Sequence, residues 1–185
     1  MDEHRLGLKP ILGRRWAPRG KRPIVRVQRR YEWLYLFLTR TVPMRTLGRY
    51  AFACPESGTS QYWLVPEVNT PAFQLVLEAF ARSVGAGPDR RILLVLDGAG
   101  WHTSGTLKVP EGLELVFLPP YSPELQPAER LWALTDIGLK NRHFSTLDNL
   151  YHALATQCQV LERCPDLVWA HTLFHWWPRL SSLQN

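Results

Sequence analysis

Residues 92–102 read Ile-Leu-Leu-Val-Leu-Asp-Gly-Ala-Gly-Trp-His, and the fold class turns on where the apolar run stops. Five consecutive apolar residues, Ile92–Leu96, have the length and composition of a strand covered on both faces. The run ends abruptly at Asp97-Gly98. In open sheets flanked by helices, chemistry gathers beyond the carboxyl ends of the strands, and Asp97 occupies such a place. A plainer reading also stands: an Asp before Gly opens turns by accepting backbone amides. Gly98-Ala99-Gly100 is no dinucleotide fingerprint, because Thr103 stands where a third glycine is required.

Downstream, Leu113–Leu118 predicts a second buried strand, closed by Pro119-Pro120. The proline-rich approach that follows delivers Glu129 into the first turn of a helix predicted from Pro127 to about Leu139. An acid there also suits the helix dipole. Glu124 is a competing acid, in the loop. A further helix spans about Leu147–Glu162, with Leu147, Leu150, Tyr151, Leu154, Cys158 and Leu161 on one face, and stops before Pro165. Upstream, Thr70 is a candidate cap and Pro71 suits the first helical position. Phe73, Val76, Leu77, Phe80 and Val84 then share a face until Gly85 and Gly87. Tyr31–Thr39 reads as a strand, and Tyr50–Ala53 and Tyr62–Val65 as shorter ones. Strands first, then helix–strand–strand–helix, give an α/β fold with a mixed sheet flanked by helices.

One domain suits 185 residues that are 45% hydrophobic with a mean hydropathy of -0.19. No apolar run reaches the roughly 20 residues of a membrane span, and the first residues are not signal-like, so a cytoplasmic location is expected. Cys54, Cys158 and Cys164 lack zinc-ligand spacing and read as reduced, partly buried thiols. The net charge of +6 is unevenly spread. Residues 1–49 hold 13 Lys and Arg against 3 Asp and Glu, and the rest hold 9 against 13. The Pro-, Gly- and Arg-rich segment 10–23 reads as an extended basic excursion. There Arg14, Arg15, Arg19, Lys21 and Arg22 are candidates to neutralise phosphates, and Trp16 to pack on a sugar or base. The alternatives are a solvated basic loop without a partner and a Trp16 that anchors the loop to the body.

Asp97-Gly-Ala-Gly-Trp-His102, followed by Pro119-Pro-Tyr-Ser-Pro-Glu-Leu-Gln-Pro-Ala-Glu129-Arg-Leu-Trp132, resembles the DDE domain of mariner-like transposases, especially their bacterial insertion-sequence relatives. Asp97 and Glu129 lie 32 positions apart, close to that family's spacing between its second and third acids. Met1-Asp2-Glu3 and Trp16-Ala-Pro-Arg-Gly20 resemble the stretch beginning at the family's first acid, which assigns Asp2. The likeness runs from residue 1 to about Pro178, leaving 179–185 as a tail. It implies a ribonuclease H-like fold. Three departures accompany it. The helix-turn-helix region that usually precedes the catalytic domain is expected to be missing. The strand that should lead into the first acid is truncated, which leaves Asp2 loose at the terminus. Gln126 stands where many relatives have Asn.

The resemblance implies metal-dependent DNA strand cleavage and strand transfer during transposition of an insertion sequence. Mg2+ would be the cofactor, with Mn2+ able to substitute, because hard ions favour carboxylate oxygen. Asp2 and Asp97 would be shared ligands and Glu129 would complete the second ion's site, an arrangement that clamps attacking and leaving oxygens. His102 would orient a ligand or touch phosphate, with a purely structural role, the commoner one for a lone histidine after a turn, as its alternative, and Gln126 is a further supporting candidate. Partners would be double-stranded DNA, as transposon ends and target, and further copies of the chain assembled on it. Two alternatives stay open: an inactive remnant that only binds DNA, and a ribonuclease H-fold nuclease with a cellular role. Without DNA-reading helices, the expectation is weak, salt-dependent DNA binding indifferent to sequence, with no transposition.

Overall fold

The computed structural model describes residues 1–6, 8, 10–25, 47–65 and 67–174. The strand expected over Tyr31–Thr39 lies outside the described residues.

Three antiparallel strands, β1 (Asp2–Leu6), β2 (Leu47–Cys54) and β3 (Thr59–Val65), form one sheet in that order. The strands foreseen at Tyr50–Ala53 and Tyr62–Val65 are thus the later parts of longer ones. Two parallel strands, β4 (Ile92–Leu96) and β5 (Leu113–Phe117), form a second sheet. The expected mixture of pairings is present, divided between two ladders among the described residues. The Met1 ammonium donates to Val95 O at 2.7 Å and joins the start of β1 to β4.

The three-stranded sheet carries helices on both faces, because its side chains alternate. Tyr50, Phe52 and Trp63 point to one side and pack with helix α1 (Thr70–Val84) around Phe73, Val76, Leu77 and Phe80. Phe52 stacks on Phe80 at 4.0 Å between ring centroids. Leu94, Leu96 and Leu113 extend this core under β4 and β5. Arg49, Ala51, Tyr62 and Leu64 point to the other side. There they meet α2 (Glu129–Ile137), α3 (Leu147–Glu162) and α4 (Pro165–Thr172).

Several local expectations change. Asn69 caps α1 by accepting from Ala72 N at 2.8 Å, so Thr70 is already helical. Helix α2 is shorter than foreseen. Around Pro127 and Ala128 the chain makes i→i+3 bonds, such as Arg130 N to Pro127 O, before the helix settles. β4 and β5 are not covered on both faces among the described residues: Leu93 is 65% exposed, and Val116 and Phe117 are also exposed. Helix α4 was not foreseen, since Pro165 was read as an end, whereas it starts a helix.

The largest correction concerns Asp2. It is not loose: it is 7% exposed, opens β1 and pairs with Ala51. The strand runs onward from the acid, so pairing with β2 fixes its backbone.

Candidate active site

The three acids singled out from the sequence sit on three elements, and the first two residues tie those elements together. Met1 is bound to Val95, two residues before Asp97. Gln126, in the turn just ahead of α2, donates from Nε2 to Met1 O. Asp2 Oδ2 accepts from Trp132 Nε1 at 2.6 Å. Trp132 lies three residues beyond Glu129 on the same side of α2. The end of β4, the start of β1 and the first turn of α2 therefore meet at one corner of the molecule. Among the described residues, no group of three or more His, Cys, Asp or Glu side chains stands close enough together to hold a metal ion. The acids share a corner without being gathered into one coordination shell.

Asp97 follows β4 with its side chain half exposed. Its Oδ1 lies 2.7 Å from His102 Nδ1 and accepts from Ala99 N at 3.3 Å. The turn-opening reading is thus realised, and the acid stands just beyond the carboxyl end of β4, where the sequence placed it. His102 is 2% exposed, its ring 4.5 Å from that of Phe73 and 6.0 Å from that of Trp101. Contact with a phosphate does not fit this burial, whereas a structural role and the orienting of Asp97 both do. Glu129 is exposed as the first residue of α2, and Glu124 is exposed in the short 3-10 turn Pro123–Leu125. Gln126 is buried at 3% and serves as a clamp on Met1.

Two residues that matter here were not foreseen. Trp132 presents its N–H to Asp2, and the need of a buried indole N–H for an acceptor was a usable signal. Arg49 is wholly buried on β2. Its Nη1 donates to Thr135 Oγ1 at 2.6 Å and its Nη2 to Asp136 Oδ1 at 2.9 Å, and its guanidinium lies 4.6 Å from the centroid of Trp132. Burial lowers its pKa, and the bond to Asp136 opposes that. A charged residue inside an apolar strand was the available hint.

The basic excursion has no regular structure over residues 10–18 and turns at Arg19-Gly20. Arg14, Arg15, Trp16, Arg19, Lys21 and Arg22 are all exposed, and Trp16 is 100% so. The anchoring alternative for Trp16 therefore fails. The anchor is Asn141 instead: its N donates to Ile11 O at 2.9 Å, its Nδ2 donates to Gly13 O, and its Oδ1 accepts from Gly13 N. Among the described residues, no hydrogen bond or ion pair joins the six arm side chains to the acids.

Residues 1–151 match a family described as the DDE superfamily endonucleases. A curated relative from Sinorhizobium fredii (strain NBRC 101917 / NGR234), named uncharacterized protein y4pE/y4sA, is 40% identical over 102 residues. That match covers 55% of this chain and 74% of the relative. Among solved structures, the Mos1 strand transfer complex superposes with a TM-score of 0.52 at 17% identity, covering 94% of this chain and 54% of that one. The Mos1 mariner paired-end complex with Mn gives 0.52 at 16% identity, covering 94% and 55%. The chain spans about half the length of these solved proteins. Identities this low speak for the fold alone, the ribonuclease H-like α/β architecture that the sequence resemblance implied.

Proposed function

The chain belongs to the DDE superfamily endonucleases, and on that premise we propose that it is a transposase catalytic domain that cuts and joins DNA strands through Asp2, Asp97 and Glu129. The observation that carries this reading is the lacing of Met1–Asp2 between β4 and α2, which brings the elements bearing all three acids to one corner. The fold shared with the Mos1 strand transfer complex agrees with this reading.

The donor chemistry fits a hard divalent ion. All three groups are carboxylates, Asp97 and Glu129 are exposed to solvent, and no thiol stands among them. Drawn together from the separation they have here, Asp2, Asp97 and Glu129 would hold Mg2+ or Mn2+. Bound there, the ions supply activation of the attacking water or 3′-hydroxyl and charge for the leaving oxygen. The chain's own residues orient and bind. His102 fixes the direction of the Asp97 carboxylate, and Trp132 does so for Asp2. Arg14, Arg15, Arg19, Lys21 and Arg22 meet the phosphate backbone, with Trp16 free to pack on a sugar or an unstacked base. Such contacts give affinity without reading sequence.

The test is nicking of supercoiled plasmid by the purified chain. Mg2+ or Mn2+ should support it and Ca2+ should not. Asp97→Asn should abolish it while plasmid binding persists. Equal nicking by wild type and Asp97→Asn overturns the reading. Absence of nicking under all conditions, with binding intact, favours the DNA-binding remnant.

A further inference from the structure

We propose that Arg49 and Trp132 form a two-residue brace that positions the Asp2 carboxylate, so that a buried cation on β2 sets the geometry of an acid on β1. The inference rests on the assignment of Asp2 to the catalytic carboxylates and goes beyond it by naming what holds that acid.

The brace is built from one helix face. Trp132, Thr135 and Asp136 stand at i, i+3 and i+4 on α2, so all three present to the same neighbour. That neighbour is Arg49. Its two terminal nitrogens are fixed by Thr135 and Asp136, and its guanidinium carbon lies over the indole, 4.6 Å from the ring centroid. Thr135 Oγ1 in turn donates to Trp132 O at 3.0 Å. The indole is therefore held from its ring face and its backbone, and its N–H is aimed at Asp2 Oδ2. Register completes the geometry: Asp2 pairs with Ala51, two residues along β2 from Arg49, so Asp2, Ala51 and Arg49 share the sheet face that looks at α2. Ala51 is small and wholly buried, which lets α2 approach closely enough for the indole to reach the acid.

Stability alone is a poor explanation for this arrangement. A buried ion pair contributes little relative to well-packed apolar side chains, because desolvation offsets the attraction. Arg49 Nε also lacks a hydrogen-bond partner among the described residues, a further cost. What a rigid guanidinium offers is geometry: a planar fork that locks two helix groups and a ring at once. Groups that orient metal-binding carboxylates from behind govern metal affinity strongly.

Two readouts test the brace. The first needs neither metal nor activity: the Trp132 indole N–H resonance, assigned with Trp132→Phe. A carboxylate-bound indole proton resonates downfield. It should move upfield in Asp2→Asn and in Arg49→Met while the other indole signals hold. An unmoved resonance in either folded variant overturns the proposal. The second is Mn2+ titration of the full chain on DNA. Trp132→Phe keeps an aromatic ring but loses the indole N–H, and should raise the half-saturating Mn2+ concentration about tenfold or more. Should Arg49→Met fail to fold, Trp132→Phe decides alone: an unchanged Mn2+ midpoint overturns the brace. Asp2→Asn separates the two levels of argument. Nicking that survives Asp2→Asn removes Asp2 from catalysis, whereas loss of nicking in Asp2→Asn with a normal midpoint in Trp132→Phe removes only the brace.

Discussion

His102 holds Asp97: its Nδ1 stands 2.7 Å from Asp97 Oδ1 and 3.1 Å from Asp97 O, so one ring nitrogen touches the carboxylate and the backbone of the same residue. The segment between them, Gly98-Ala-Gly-Trp101, folds back so that His102 N donates to Ala99 O at 2.9 Å. Burial of the ring against Phe73 of α1 makes this a rigid contact, and the exposed acid inherits that rigidity.

Replacing His102 with Ala should therefore leave DNA binding unchanged and weaken divalent-metal use. The expected loss in nicking is between about tenfold and a hundredfold, with a higher Mg2+ requirement. His102→Asn, which can present an amide N–H from a similar position, should recover part of it. A Mg2+ titration of nicking with wild type and both variants checks this, and identical midpoints would count against the orienting role.

The arm should act through charge. The Arg14, Arg15 and Arg19 side chains are exposed and make no hydrogen bond or ion pair among the described residues, so each is able to displace counterions from DNA. Changing all three to Ala should reduce the slope of log affinity against log salt by about 2 to 3. Fluorescence anisotropy with a duplex of arbitrary sequence, measured across a salt series, gives the slope. A slope equal to the wild type's would mean that the arm does not meet phosphates.

How legible this was in advance depended on how local each signal is. Ile92–Leu96, α3 and the Asp97 turn were readable because composition and punctuation decide them within a few residues. The anchoring of Asp2 was not. Its partners are Ala51 and Trp132, far along the chain, and an acid at position 2 carries no local sign of the pairing. Exposure of Leu93 and Val116 was misjudged for the same reason: an apolar run states what a strand can bury, whereas packing decides what it does bury. Trp132 belonged to the motif that suggested the family, yet its indole acts across the fold on an acid that precedes it by 130 positions.

Asn141 should control how firmly the arm leaves the body. It sits at φ 57°, a conformation Asn tolerates and Gly accepts freely, and it makes three hydrogen bonds to residues 11–13. Asn141→Gly keeps the backbone and removes the two side-chain bonds. Trypsin should then cut after Arg14 and Arg15 as fast as after Arg19 and Lys21. In the wild type the sites nearest the clamp should be cut more slowly. Mass spectrometry of timed digests reads the order, and an unchanged order in the variant would show that the clamp does not restrain the arm.

Alkali should weaken the fold from inside the α3–β3 contact. Burial pushes the Cys158 thiol from its ordinary 9.0 up to about 12, with Glu162 adding to the effect and the Arg49 charge opposing it. Burial raises the Tyr62 hydroxyl likewise. Both groups keep their protons in the folded chain at a pH where the unfolded chain has begun to release them. The folded state then binds more protons than the unfolded one, so stability falls as pH rises. For Cys158 the contribution is fully present below pH 9 and is lost between 9 and about 12. One proton gives a slope of up to about 1.4 kcal/mol per pH unit. Urea unfolding at pH 8, 9, 10 and 11 should show midpoints that decline above 9, and Cys158→Ala should decline less steeply from a lower starting value. The same burial protects the thiol, so a thiol reagent at pH 8 should label exposed Cys54 in the native chain and reach Cys158 only in urea. Rapid native labelling of Cys158, or parallel pH curves for wild type and Cys158→Ala, would show that this thiol is not held in its protonated form by the fold.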